Sequence, residues 1–292
     1  MTRDPRRSQA TPVRFPAGTG GFTLIEALIA ISAFVVVLLA IYSVFETSQA
    51  TYGAGQQRAN IQQSARIAME LMERDLRLLG YGFPDGGADC DGDLNPDNAI
   101  MVATATLITF CADLLNASTI ILNIDVNPGD TTLNVQNASG IQAGDTIFLI
   151  NGGASEQLTV QAVNIGGNPN TITTAPGAAA AYPWGSQVGR PLLVSYCWYD
   201  NPDADGIPAP AACAGLPANT LYRDEGAGAG LQPLANNIQI LQFQYFDATD
   251  VATANPIDIR RITITLTAQS PPGWWRPQTF NIASDVRPRN LN

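Results

Sequence analysis

Histidine and lysine are absent from this chain of 292 residues, and all 15 of its basic residues are arginines. A Ser-His-Asp triad, a metal site with histidine ligands, a phosphate-binding loop with its lysine and a lysine Schiff base each need one of the missing residues. The composition therefore excludes most of the common enzyme templates.

Positive charge is also missing from the middle of the chain, since no arginine lies between Arg77 and Arg190. Acidic residues are frequent in that stretch, and the net charge of the whole chain is −10. A surface of this sign repels the phosphates of nucleic acids. We therefore expect no nucleic-acid partner.

One long apolar run extends from Phe22 to Phe45 and contains a single charged residue, Glu26. As a helix this run is ~36 Å long, enough to cross a hydrocarbon core of ~30 Å. The arginines that precede it favour a cytoplasmic N-terminus. A secretory signal peptide has a shorter apolar stretch and a cleavage site of small residues, so we expect this segment to remain as a membrane anchor.

A helical pattern continues after the apolar run, because apolar residues recur every three or four positions. Their stripe consists of Ile61, Ala65, Ala68, Met72, Leu76 and Leu79. Glycines and a proline in residues 80–84 then give a stop signal. The pattern predicts one helix over residues 22–80, with residues 22–45 in the membrane and a soluble domain on the stripe of the second half.

The apolar helix opens with the hexapeptide Gly-Phe-Thr-Leu-Ile-Glu of residues 21–26, which resembles the signature of type IV prepilins. The resemblance implies that a prepilin peptidase cuts between Gly21 and Phe22, removes the leader of residues 1–21 and methylates the new N-terminus. It also gives Glu26 an assembly role, in which the carboxylate meets the N-terminal amine of a neighbouring subunit. A carboxylate in an apolar helix needs such a cation. The alternative is a plain anchor whose glutamate reaches the lipid headgroups.

After Pro84 the sequence changes to short β-like runs bounded by Gly, Pro, Asn and Asp. The run 260–268 alternates aliphatic residues with threonine, which is typical of a half-buried antiparallel strand. In 236–246 the alternation shifts between Ile240 and Leu241, which predicts a bulge. We expect an α+β fold with the long helix packed on an antiparallel sheet. The expected strands are 99–110, 118–126, 131–136, 145–151, 156–164, 170–175, 191–199, 236–246, 260–268 and 278–286.

Residues 127–189 differ in composition from the rest, being rich in Gly, Asn, Thr and Ala and poor in charge. Their short strands and frequent turns predict a small β-module inserted into a β-rich, pilin-like head of residues 81–126 and 190–292. Such an insertion costs little entropy when its ends are close together. The alternative is that these strands extend the main sheet directly.

Several segments after the signature resemble PilW-type minor pilins: residues 63–70, 74–81, 238–245, the strand that begins at Arg260, and 286–290. The resemblance implies a structural subunit, not an enzyme, that primes assembly at or near the tip of a type IV pilus. It implies other pilins and minor pilins, the prepilin peptidase and a tip adhesin as partners. It places the chain in the inner membrane with a periplasmic head, and then in the extracellular pilus. J-type pseudopilins of type II secretion systems share the signature and are the alternative.

Four cysteines in an exported domain predict two disulfides, for which there are three connectivities. Sequential pairing, Cys90 with Cys111 and Cys197 with Cys213, is favoured because each pair spans a loop beside a predicted strand. No Cys-x-x-Cys motif is present, so neither a redox site nor a zinc site is expected.

Two acidic loops lie at these cysteines, and their alternating oxygen side chains suit Ca²⁺. The candidate ligands are Asp89, Asp91, Asp93 and Asp97 in the first loop, and Asn201, Asp203 and Asp205 in the second. Neither loop completes an EF-hand, so the alternative is a pair of solvated acidic turns.

Two rival functions come from other classes. One is an envelope enzyme with paired carboxylates, although no acid pair lies in a recognisable catalytic frame. The other is a calcium-dependent adhesin that uses its tryptophans as contacts, which exposed tryptophans would favour and buried ones would not. The tryptophans are Trp184, Trp198, Trp274 and Trp275.

Overall fold

The computed structural model describes residues 23–83, 89–90, 97–114, 120–152, 154–200, 211–226, 228–270 and 277–291. These residues contain one α-helix, α1 (Leu24–Arg77), and fourteen strands that pair antiparallel. The expected α+β class is confirmed. The strands are β1 (Ile100–Ala103), β2 (Leu107–Ala112), β3 (Ile120–Ile121), β4 (Thr132–Val135), β5 (Thr146–Asn151), β6 (Ala154–Asn164), β7 (Asn170–Ala175), β8 (Gln187–Gly189), β9 (Leu192–Cys197), β10 (Thr220–Asp224), β11 (Gln232–Asn236), β12 (Ile238–Phe246), β13 (Arg261–Gln269) and β14 (Thr279–Val286).

The first half of α1 is apolar on every side, and its side chains are exposed. Within the described residues, α1 is the one helix that is long and apolar enough to cross a membrane. A helix that is apolar all round needs an apolar surrounding. This half therefore has the character of a membrane anchor or a signal sequence.

The second half of α1 buries the predicted stripe, from Ile61 to Leu79, in a hydrophobic core. Residues from two sheets complete this core, one of order β1-β2-β9-β10-β11 and one of order β12-β13-β14. Gly80 and Gly82 have φ angles of 77° and 70°. Because side chains with a Cβ rarely adopt that conformation, these glycines end the helix where the sequence predicted its end.

The alternation predicted for 260–268 is present in β13, where Ile262, Ile264 and Leu266 are buried and the intervening threonines are half-buried. The bulge in β12 lies between Ile238 and Ile240, so it comes earlier than predicted. The register with β13 defines the bulge: Ile238 pairs with Ala268 and Ile240 pairs with Thr267, so two steps along β12 lie opposite one step along β13.

The predicted strand 99–110 is wrong as a single element, since it forms the hairpin β1–β2. Thr104 makes the turn: its backbone N–H and its hydroxyl both donate to the Leu107 carbonyl, at 2.8 and 3.1 Å. Hydroxyl side chains in this arrangement compete with strand pairing. Of the predicted strand 118–126, only β3 forms within the described residues. The sequence missed the strands β8, β10 and β11, which have few apolar residues in alternation.

A third sheet has the order β3-β8-β5-β6-β7-β4 and its own hydrophobic core. A bridge between Leu122 and Val135 joins the segment after β3 to β4, so the six strands close into a small barrel. The barrel includes β3 and therefore begins earlier than the predicted module boundary at residue 127. Residues 55–292, barrel included, form one compact unit, and the division into head and inserted module remains a prediction.

The barrel contacts the segment after α1 where Gly189 packs closely against Gly82. A Cβ added at Gly189 would lie 2.6 Å from the carbonyl oxygen of Gly82, too close for any side chain. Beside them, the Arg190 guanidinium pairs with Asp145 at 2.8 Å and donates to the Gly140 carbonyl at 2.7 Å. Arg190, which directly follows β8, therefore links the barrel to the segment that leads into β9.

Candidate functional site

The start of α1 is organised by Thr23 and Glu26, which form a reciprocal cap. Glu26 Oε2 accepts hydrogen bonds from the backbone N–H and the hydroxyl of Thr23, at 3.0 and 2.9 Å. The Glu26 N–H donates to Thr23 Oγ1 at 3.3 Å. This is a capping box, in which a threonine and the glutamate three positions later satisfy backbone groups that the helix leaves unpaired.

The capping box gives Glu26 a partner within its own chain, which the sequence reasoning did not consider. The predicted processing residues, Gly21 and Phe22, lie outside the described residues, so cleavage and the assembly role of Glu26 remain predictions. The Thr-x-x-Glu spacing was the signal that could have revealed the cap. Any charge-based role of Glu26 must therefore be separated from its capping role by experiment.

Both disulfides join cysteines that are sequential in the chain. Cys90 is bonded to Cys111 and Cys197 to Cys213, with Cα atoms 6.3 and 6.2 Å apart. The connectivity is the one favoured by the spacing. Cys111 lies in β2 and its carbonyl accepts a hydrogen bond from the Gly80 N–H at 2.9 Å, so the first disulfide lies beside the end of α1.

The acidic loops are described only in part. Asp97 Oδ2 accepts a hydrogen bond from the Cys90 N–H at 2.8 Å, so this carboxylate is held beside the first disulfide by a backbone group. Asp89 also lies within the described residues, where no group of three or more His, Cys, Asp or Glu residues could hold a metal ion. The other predicted ligands lie outside the described residues: Asp91, Asp93, Asn201, Asp203 and Asp205.

The calcium hypothesis remains a prediction with a direct measurement. A soluble fragment lacking residues 1–50 should melt several degrees higher in 10 mM calcium than in EGTA, because binding at a Kd of about 10⁻⁴ M stabilises the native state by ~2.7 kcal/mol. Magnesium at equal ionic strength should not raise the melting temperature. Superimposable calcium and EGTA curves would identify the loops as solvated acidic turns.

A buried charged cluster connects α1 to the five-stranded sheet, and the sequence reasoning missed it. The Asp75 carboxylate is completely buried; its Oδ2 accepts hydrogen bonds from the Tyr196 hydroxyl at 2.6 Å and from Arg223 Nε at 2.8 Å. Arg74 binds the other oxygen, Oδ1, from the surface side at 3.0 Å. Arg223 also donates to Tyr196 Oη at 3.0 Å and pairs with Glu225. α1, β9 and β10 therefore meet at the buried Asp75 carboxylate, whose two oxygens both have hydrogen-bond partners.

The electrostatics of the cluster raise the pKa of both Tyr196 and Arg223. Burial, reinforced by the Asp75 charge, raises the pKa of Tyr196 well above its ordinary value, so its hydroxyl remains a donor. Burial opposes the charge of Arg223, but Tyr196, Asp75 and Glu225 outweigh it and raise its pKa. Tyr196 therefore stays neutral and Arg223 stays charged beside the buried carboxylate.

A signal for Asp75 was present in the helical pattern. Asp75 lies three positions after Met72, on the same helix face as the apolar stripe. A carboxylate at such a position predicts a buried cationic partner. The partner, Arg223, is 148 positions away in sequence, and no local pattern could have named it.

The tryptophans divide into two environments. Trp198 is 6% exposed, and its Nε1 donates to the Ile238 carbonyl at 2.9 Å, so it belongs to the core. Trp184, in the barrel, is 66% exposed. Trp274 and Trp275 lie outside the described residues.

Comparison of the chain with protein-family models, with curated proteins and with solved structures finds no match. Functional inference therefore has to start from the residues of the chain and from the contacts described above.

Proposed function

We propose that this protein is a minor pilin of the PilW type, a structural subunit that primes assembly of a type IV pilus at or near its tip. The observation that carries the proposal is the hexapeptide of residues 21–26 at the start of an all-round apolar helix. Supporting it, the second half of the same helix packs on antiparallel sheets.

The proposed sequence of events begins with a precursor held in the inner membrane by α1, with its head in the periplasm. Cleavage after Gly21 removes the leader and frees the α-amino group of Phe22. The freed cation is then available to a glutamate that an apolar surrounding would otherwise penalise. The apolar half of α1 exchanges lipid for the helices of neighbouring pilins, and the head stays at the filament surface.

The two disulfides agree with an extracellular location, because such bonds persist in oxidising compartments. Each closes a short loop and should stabilise the head by ~3 kcal/mol in the chain-entropy model. The subunit has no catalytic step of its own in this proposal. Its partners are other pilins and minor pilins, the prepilin peptidase and a tip adhesin.

Intact mass spectrometry of the membrane-extracted protein tests the proposal. We expect loss of residues 1–21 and addition of one methyl group to Phe22. Cells that lack prepilin peptidase are the control and should retain the leader. A retained leader in cells with an active peptidase would contradict the pilin assignment.

The alternative assignment, a J-type pseudopilin, is separated by a second measurement. A minor pilin should be recovered with pili sheared from the cell surface, and its deletion should reduce piliation. A pseudopilin should be missing from sheared pili, and its deletion should instead block release of the substrates of type II secretion.

A further inference from the structure

One side chain of the barrel remains strongly exposed although it is the largest apolar type. Trp184 is 66% exposed, whereas Tyr182, two positions earlier, is 2% exposed and belongs to the barrel core. Ile124, on the neighbouring segment, is 53% exposed. A tryptophan whose ring stays in water is a common contact residue in binding sites.

The turn that carries Trp184 is rigid. Its backbone N–H donates to Asp125 Oδ1 at 2.6 Å, and the next N–H, of Gly185, donates to the Leu122 carbonyl at 3.1 Å. The N–H and hydroxyl of Ser186 both donate to the Pro183 carbonyl, at 3.1 and 2.7 Å. Little conformational entropy is therefore lost when a ligand contacts the ring, which favours binding.

The base of the turn is equally well anchored. Tyr182 and Val126 exchange two backbone hydrogen bonds of 2.8 and 2.9 Å, directly below the turn. Gly185 has a φ of +87°, a conformation that side chains with a Cβ rarely adopt, and its added Cβ would meet open space. Trp184 therefore lies on a turn that backbone hydrogen bonds hold in one conformation.

The charges of the barrel restrict the class of ligand. No arginine or lysine lies between Arg77 and Arg190, and Arg190, at the end of the barrel, already pairs with Asp145. Its carboxylates all bond to the barrel or to the strand that leaves it. Asp125 binds the Trp184 N–H, Asp130 the Asn127 N–H, Asp145 the Arg190 guanidinium, and Glu156 the Ala179 N–H.

We infer that the Trp184 turn is a binding site for a neutral saccharide. The apolar C–H face of a pyranose ring stacks on the indole, and the Asp125 carboxylate accepts a hydrogen bond from a sugar hydroxyl, since each of its oxygens has room for more than one. A quaternary ammonium ligand is typically held in a cage of several aromatic faces, and the described residues of this turn offer one. The inference does not depend on the proposed function.

The test uses the full chain in a detergent without a sugar headgroup, so that the detergent cannot compete. Maltohexaose, cellohexaose and chitohexaose are titrated while tryptophan fluorescence is recorded, and binding is verified by isothermal titration calorimetry. At least one of the three should bind and change the emission. Trp184→Ala should weaken that binding about tenfold or more, and Trp184→Phe should restore most of it, because the stacking face returns.

The matched control is Ile165→Ala, which removes another exposed apolar side chain of the barrel, 61% exposed, and should leave the affinity unchanged. Unchanged thermal unfolding of Trp184→Ala confirms that the variant is folded. The inference is overturned if none of the three saccharides binds, if Trp184→Ala binds as tightly as the parent chain, or if Ile165→Ala weakens binding equally. It is also overturned if Trp184→Ala instead abolishes self-association of the chain, which would make the turn a protein contact.

Discussion

Replacing Asp75 by alanine should destabilise the compact unit of residues 55–292 by about 3–5 kcal/mol, because it leaves the buried Arg223 guanidinium without its main counter-charge. The loss should be measurable by urea unfolding of a fragment that begins at residue 55, the start of the compact unit. Glu225 remains as a partner of Arg223, but its side chain is 58% exposed and screened by water. The Tyr196 hydroxyl would also lose its acceptor.

A matched surface variant separates the buried interaction from the exposed one. Arg74 contacts the same carboxylate, but its side chain is 63% exposed, so Arg74→Gln should cost less than about 1 kcal/mol. The double variant Asp75→Leu with Arg223→Met should recover much of the stability, because an apolar pair can replace a buried ion pair. Additive losses in the cycle of Asp75→Leu, Arg223→Met and the double variant would contradict a direct Asp75–Arg223 interaction.

Replacing Glu26 by alanine should leave membrane insertion intact and reduce recovery in sheared pili by an order of magnitude or more. Insertion should not suffer, because the substitution removes the one charge from the apolar run. Assembly should suffer, because the proposed partner of the amine of a neighbouring subunit is gone. Immunoblots of membranes and of sheared pili measure the two effects separately.

Glu26→Gln is the informative control for this experiment, since the structure gives Glu26 a second role as a helix cap. Glutamine also closes a capping box but has no charge. If assembly requires the charge, Glu26→Gln should fail as Glu26→Ala does. Normal assembly of Glu26→Gln beside failure of Glu26→Ala would assign the effect to the cap and refute the ion-pair role.

The helix and its buried face could be predicted because their signals are local. Ile61, Met72 and Leu76 recur at helical spacing and are all buried, and the glycines at residues 80 and 82 end the helix in the left-handed conformation. The late strand 260–268 was equally clear from its alternation. The hairpin β1–β2 was missed because Thr104 and Thr106 at its turn also favour strands and no Gly, Pro, Asn or Asp marks the turn.

The sequence by itself determined the absence of histidine and lysine chemistry, the apolar helix with its opening hexapeptide, the stripe on the second half of that helix and the strand-rich region that follows it. Each of these depends on composition or on spacing within a few residues, where periodicity and propensity act. Only the tertiary structure decided which distant groups meet. Asp75 reaches Tyr196 across 121 positions, the barrel closes between Leu122 and Val135, and of two similar tryptophans Trp198 enters the core while Trp184 stays exposed. These outcomes depend on chain topology and on the packing of distant segments, which no local pattern contains.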